Sequence, residues 1–135
     1  MVVVGLPRTG DNMKNTRSDM IVLLEKEVRY ARDTLIPIFK GNISWVRTYI
    51  EWVEEEYAVE IDPEEFLSAQ KELESERARI KRAERVLSAL ALGEKNVSMR
   101  SILTAYTCLL EGHDRSNEAM NKIIQFYYKM KERYG

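Results

Sequence analysis

The chain has 135 residues, 44% of them apolar and 32% charged, with a net charge of −1. That is the length of one domain with a real core, too apolar for a disordered chain and without the overall field that recruits nucleic acid or an anionic membrane. The single cysteine, Cys108, excludes an internal disulfide or a cysteine zinc cluster and reads as a small buried hydrophobe in a reducing compartment.

No run of eighteen apolar residues occurs, so no membrane-spanning helix is expected. "MVVVGLP" is too short for a signal peptide and lacks a basic n-region, which makes the cytoplasm the expected location. Abundant Glu, Lys and Arg beside only Gln70 and Gln125 match a balance common in thermophile proteins. A small, charge-rich chain of this kind fits the products of thermophile viruses or plasmids.

Residues 1–15 read as a short flexible or strand-like arm, punctuated by Gly5, Pro7 and Gly10. Within it, Leu6 to Gly10 spell "LPRTG", a sortase recognition pattern. That signal works near a C-terminus, ahead of an apolar span and a basic tail, and neither is present here.

From Thr16 onward the periodicity predicts helices. Thr16 with Asp19 resembles a capping box, and Ile21, Leu24, Val28, Ala31 and Leu35 form one helical face. Pro37 ends or kinks that helix, and Gly41 is its expected C-terminal residue. Asn42 then caps a second helix with core positions Ile43, Val46, Ile50, Val53 and Tyr57. "IDPEEF" predicts the start of a third, with Asp62 as cap, Pro63 in the first turn, and Glu64 and Glu65 at the positive helix end.

The third helix has no breaker before Gly93, giving about 30 residues or ~45 Å. Asn96 or Ser98 starts a fourth, with Met99, Ile102, Leu103, Tyr106, Leu109 and Leu110, closed by Gly112. Asp114 or Ser116 starts a fifth, with Met120, Ile123, Tyr127, Met130 and Tyr134. The expected fold is therefore all-α: a four- to five-helix bundle over residues 16–135, built around one long central helix.

On that long helix Phe66, Leu73, Ile80 and Leu87 recur every seven residues, with Ala69, Ala83 and Leu90 beside them and Glu76 interrupting. Helices of 15 to 20 residues cannot cover such a seam, so it predicts a homodimer or higher oligomer. In the second helix Trp45, Tyr49 and Trp52 widen the apolar arc to about half the circumference, beyond the usual ~100° stripe. They serve the core or, if exposed, an interface with a further copy or another protein.

Two basic strips carry an alternative function, nucleic-acid binding: Arg77, Lys81 and Arg85 on the third helix, and Lys129, Lys131 and Arg133 at the C-terminus. Against the first strip stand acids at helix-pair spacing: Glu74 before Arg77, Glu76 before Arg79, and Glu84 after Lys81. Against the second, bases in a last turn complement the helix dipole.

Signals for catalysis are thin. His113 is the only histidine, placed in a loop, and no P-loop, GxGxxG or GxSxG occurs, so no cofactor or metal is expected. Glu51-x-x-Glu54 and Glu111-x-x-Asp114 resemble the carboxylate pairs with which all-α nucleotide pyrophosphohydrolases of the MazG kind hold magnesium. The resemblance implies a magnesium-dependent hydrolase. The pairs depart from it by lying far apart in sequence, the second across an expected helix end.

Overall fold

The computed structural model describes residues 16–93 and 97–135, and it is all-helical, with no strand among those residues. The arm at 1–15 with its "LPRTG", and Asn96, lie outside them. The elements are α1 (Thr16–Tyr30), a π-helical turn (Ala31–Leu35), α2 (Ile36–Tyr57), α3 (Glu64–Ala91) and α4 (Met99–Tyr134). Because α1, the π turn and α2 are continuous, the bundle has three helices where four or five were expected.

Both missing breaks have a physical cause. Pro37 lacks an N–H, and its ring crowds the carbonyl four residues back. The backbone absorbs this in the wider turn just before it, where the Ile36 N–H bonds the Ala31 carbonyl, five residues back. The apolar spacing asks for the same thing. Buried Ala31, Leu35, Phe39 and Ile43 stand four apart three times in succession. In a regular α-helix that sequence would turn the apolar face by about 120°, and one inserted residue turns it back.

Gly41 does not end the helix. It sits on the exposed side with open space around it, and Asn42 beside it donates to Met120 Sδ at 3.4 Å instead of capping. Gly112 does not end a helix either. It is buried against α3, and α4 runs through it for 36 residues.

Gly93 and Ser98 serve where the sequence placed them, the cap of α3 moves by one residue, and the end of α2 uses a residue the sequence did not single out. Ala58, with φ 52°, closes α2, and Glu54 Oε2 accepts from the Ile61 N–H at 2.9 Å to hold the turn. Pro63 takes the cap position in place of Asp62, its carbonyl accepting from Phe66 N–H. Gly93, with φ 77°, follows α3, and Ser98 Oγ caps α4 by accepting from Ser101 N–H at 3.1 Å.

The α1–α2 rod and α4 run parallel and pack on each other, and α3 runs antiparallel to both. At one end Leu24, Val28, Ile80, Ala83, Ile102 and Leu109 form a core; at the other, Phe39, Ile43, Val46, Ala69, Met120 and Ile123 form a second. Each fully buried Leu, Ile or Phe contributes roughly 1.5–3 kcal/mol of transfer free energy. Cys108 is only half-buried, and Tyr57, expected in the core, is exposed at the rod's end.

With 28 residues, α3 is shorter than the continuous rod over 16–57 and than the 36-residue α4, so the long central helix expected from the sequence is the covered one. Phe66, Leu73, Ile80 and Leu87 all pack within the bundle. The argument that α3's seam needs a second chain to cover it therefore falls away.

The two interior glycines respond oppositely to a methyl group. Gly41→Ala meets nothing and is expected to stabilise by about 1 kcal/mol through helix propensity. At Gly112 a Cβ would come within 2.6 Å of Arg79 Cζ and Glu76 Oε1, so Gly112→Ala is expected to cost about 1–3 kcal/mol. Urea denaturation of both variants checks the pair.

Candidate functional site

Three features outside the apolar cores hold chemistry: a buried polar layer, an aromatic strip and a basic groove. The polar layer lies between the two cores. Glu76, at a seam position of α3, is fully buried, and the Arg79 guanidinium reaches back one turn to Glu76 Oε1, with Nε at 3.0 Å. Arg79 also pairs with Glu72. The seam Glu76 thus meets Arg79, three residues on in its own helix as the spacing suggested, but in the bundle interior and not on a solvated face. Gly112 leaves the room in which this ion pair sits.

From α4, His113 enters the same layer, its ring edge-on to Tyr30 with centroids 5.2 Å apart. Its Nδ1 lies 3.2 Å from Glu27 Oε1 of α1, and its Nε2 lies 3.7 Å from Glu76 Oε2. Among the described residues Glu76 Oε2, His113 Nε2 and the buried Ser116 Oγ have no hydrogen-bond partner. Burial pushes the Glu76 carboxyl above its ordinary range against the pull of Arg79, and also raises Glu27. Burial, with Arg79 nearby, lowers His113.

Sequence reasoning placed His113 in a loop and missed Glu27 and Ser116. The signal was present. Leu109, His113, Ser116, Met120, Ile123, Tyr127 and Met130 keep the alternating four-three spacing straight through Gly112.

The aromatic strip lies on the side where α2 meets α4. Trp45 packs tilted and Tyr49 edge-on against Tyr127, with centroids at 4.2 and 4.8 Å, and Tyr127 touches Tyr128 at 5.3 Å. The chain of rings continues from Tyr49 to Trp52, Tyr57 and Tyr134. Trp45, Trp52 and Tyr57 each remain 45% exposed and Tyr128 59%. Tyr57 Oη donates to the Tyr134 carbonyl at 2.6 Å and Tyr49 Oη to that of Gly135 at 3.3 Å, fastening the end of α4 to α2.

The basic groove lies on the other flank of α2. Lys40 and Arg47 of α2 face Arg77 of α3 across it, with Glu74 as the one acid in its lining. The sequence paired Arg77 with Glu74 and Lys81 with Glu84. Among the described residues neither pair forms, and Glu84 instead contacts Arg32 at 3.4 Å. Arg77, Lys81 and Arg85 are exposed and have no carboxylate within ion-pair distance among the described residues. Arg47 instead lies over the Phe66 ring at 5.4 Å.

The second basic strip does not join the first. Lys131 lies over Tyr127 at 5.9 Å, Arg133 lies near Tyr134, and Lys129 is exposed. The two MazG-like carboxylate pairs do not meet either. Tyr49 packs beside Tyr127, sixteen residues or roughly 24 Å along α4 from Glu111. Glu54 of the first pair is engaged in the turn after α2, and Glu111 approaches Arg115.

These features define an all-α, three-helix bundle with a polar waist. Comparison with known protein families, curated proteins and solved structures found no match. No helix among the described residues is long and apolar enough to cross a membrane.

Removing Arg79 would leave Glu76 as a buried, uncompensated carboxylate beside the partly exposed Glu72. Arg79→Met is expected to cost about 3–5 kcal/mol at pH 8. The loss should shrink at pH 5. Glu76, whose proton affinity in the folded chain exceeds its ordinary value, contributes stability when protonated and loses it as pH rises through its raised pKa. Denaturation curves at both pH values test the sign.

Proposed function

We propose that the protein is a non-enzymatic interaction bundle that self-associates through the aromatic strip of α2 and α4. The observation that carries this reading is the exposure of Trp45, Trp52, Tyr57 and Tyr128 within one continuous run of rings in tilted and edge-on contact. Rings held against one another have already given up most of their side-chain freedom, so covering them with a partner costs little further entropy. Tryptophan and tyrosine are also the residues that most often dominate interface energy.

Of the interface residues expected from the sequence, Trp45, Tyr49 and Trp52 lie on this strip. Phe66, Leu73, Glu76, Ile80 and Leu87 supply the bundle interior that holds the strip rigid. Light scattering behind size exclusion is the test. The wild-type chain is expected to run as a dimer or larger. Trp45→Ala and Trp52→Ala are each expected to weaken assembly about 30-fold while leaving the melting temperature of the monomer nearly unchanged. A monomeric wild type at high micromolar concentration would end this reading.

A second reading has its own observation. Arg77 with Lys40 and Arg47 opposite, continued along α3 by Lys81 and Arg85 beside Glu84, forms a basic face suited to a polyanion such as single-stranded nucleic acid. Lys131 and Arg133, each beside a tyrosine ring, offer a smaller second platform. It requires binding that weakens steeply with salt, the slope of log K against log salt falling by roughly 0.7 for each contacting cation removed. A flat salt response, or a slope unchanged in Arg77→Ala and Lys81→Ala, would exclude it.

A further inference from the structure

His113 sits between two carboxylates, one opposite each ring nitrogen: Glu27 Oε1 3.2 Å from Nδ1 and Glu76 Oε2 3.7 Å from Nε2. A neutral imidazole has one N–H and one lone pair. Whichever nitrogen carries the hydrogen, the other presents its lone pair to a carboxylate oxygen that has only lone pairs to offer. Both gaps can be filled only with one proton more than the neutral ring holds. That proton sits on the ring, on Glu27 or on Glu76.

The local charge balance asks for the same proton. Glu27 and Tyr30 of α1, with Lys26 beside Glu27, face the ring from one side. Glu72, Glu76 and Arg79 of α3 face it from another, and α4 contributes Asp114, Ser116 and, near Glu27, Tyr106. Within the layer the carboxylates of Glu27, Glu72 and Glu76 share one largely buried cation among the described residues, Arg79. The orphaned state of Glu76 Oε2 and His113 Nε2, both buried, marks where the missing hydrogen belongs.

We infer that Glu27, His113 and Glu76 form one shared proton-binding site at the waist of the bundle, filled at acid pH and emptied as the pH rises. When it is filled, the Nε2 gap closes as a hydrogen bond that joins α3 to α4, while Nδ1 ties α4 to α1. When it is empty, one of those two ties becomes a contact between lone pairs, and the waist loosens. The ligand of this site is a proton, and its occupancy is coupled to how firmly the three helices are joined.

The test uses the intact chain labelled with 15N and 13C. His113 is the only histidine, so its ring nitrogens report on this site alone. The Glu76 carboxyl carbon and the His113 ring are expected to titrate together, in one step, with at least about tenfold higher proton affinity than exposed glutamates in the same sample show. Separate steps, with Glu76 titrating among the exposed glutamates and His113 by itself as a free imidazole, would overturn the proposal. Glu76→Gln supplies a permanent N–H toward Nε2. In that variant the joint step is expected to vanish and the ring to hold one neutral tautomer, with hydrogen on Nδ1, between pH 6 and 9, a range of roughly three decades in proton concentration. A ring titration identical to wild type in a folded Glu76→Gln chain would overturn it. If that variant does not fold, the wild-type titration decides.

Discussion

The structure turns on one buried ion pair. Arg79 reaches back along α3 to Glu76 and Glu72, and α4 passes this cluster with a glycine. Burying these charges costs several kcal/mol per ion, which the pairing only partly offsets. The return is in register. If α4 slid by one turn against α3, a larger side chain would replace Gly112 and push into the guanidinium. The apolar cores on either side would tolerate such a slip far better, since large hydrophobic side chains can repack. The polar waist therefore selects one alignment of helices whose seams alone are permissive.

The first rod is fitted to the same waist. Ala31 belongs to one core and Leu35 to the other, and the π turn lies between them. Its inserted residue keeps the apolar face directed inward across the polar layer. Without it, Phe39 and everything after it would rotate away from α4. Pro37 and the four-residue apolar spacing require the same adjustment at the same place, so a local defect and a global need coincide.

The surface follows from the interior. Because α2 presents Arg47 to α3 and Trp45 to α4, its two flanks differ sharply in chemistry. One flank is a basic groove whose cations find no carboxylate among the described residues, since Glu84 is drawn to Arg32 and Glu76 and Glu72 to Arg79. The other is a run of rings held by each other and by two tyrosine hydroxyls bonded to the end of α4. Rigid, exposed aromatic surface of this kind gains most from association, which is why the self-association reading rests there and not on the α3 seam.

The sequence by itself determined the helical class, the buried faces of α1, α2 and α3, and the start signals at residues 62–65 and at Ser98. These are properties of short windows, where spacing, proline and side-chain capping act within a few residues. It did not determine where helices continue. Gly41, Gly112 and Pro37 read as stops, because in isolation each favours one by propensity. Only the tertiary structure decided otherwise: one glycine lies in open space, another yields its room to Arg79, and the proline is absorbed by a widened turn. The site was legible in part. Glu76 stood out as a charge in an apolar seam, while its companions Glu27, Arg79, His113 and Ser116 come from three helices whose meeting is fixed only by packing. The aromatic strip was visible as Trp45, Tyr49 and Trp52, but their exposure depended on which side of α2 the parallel α4 would cover.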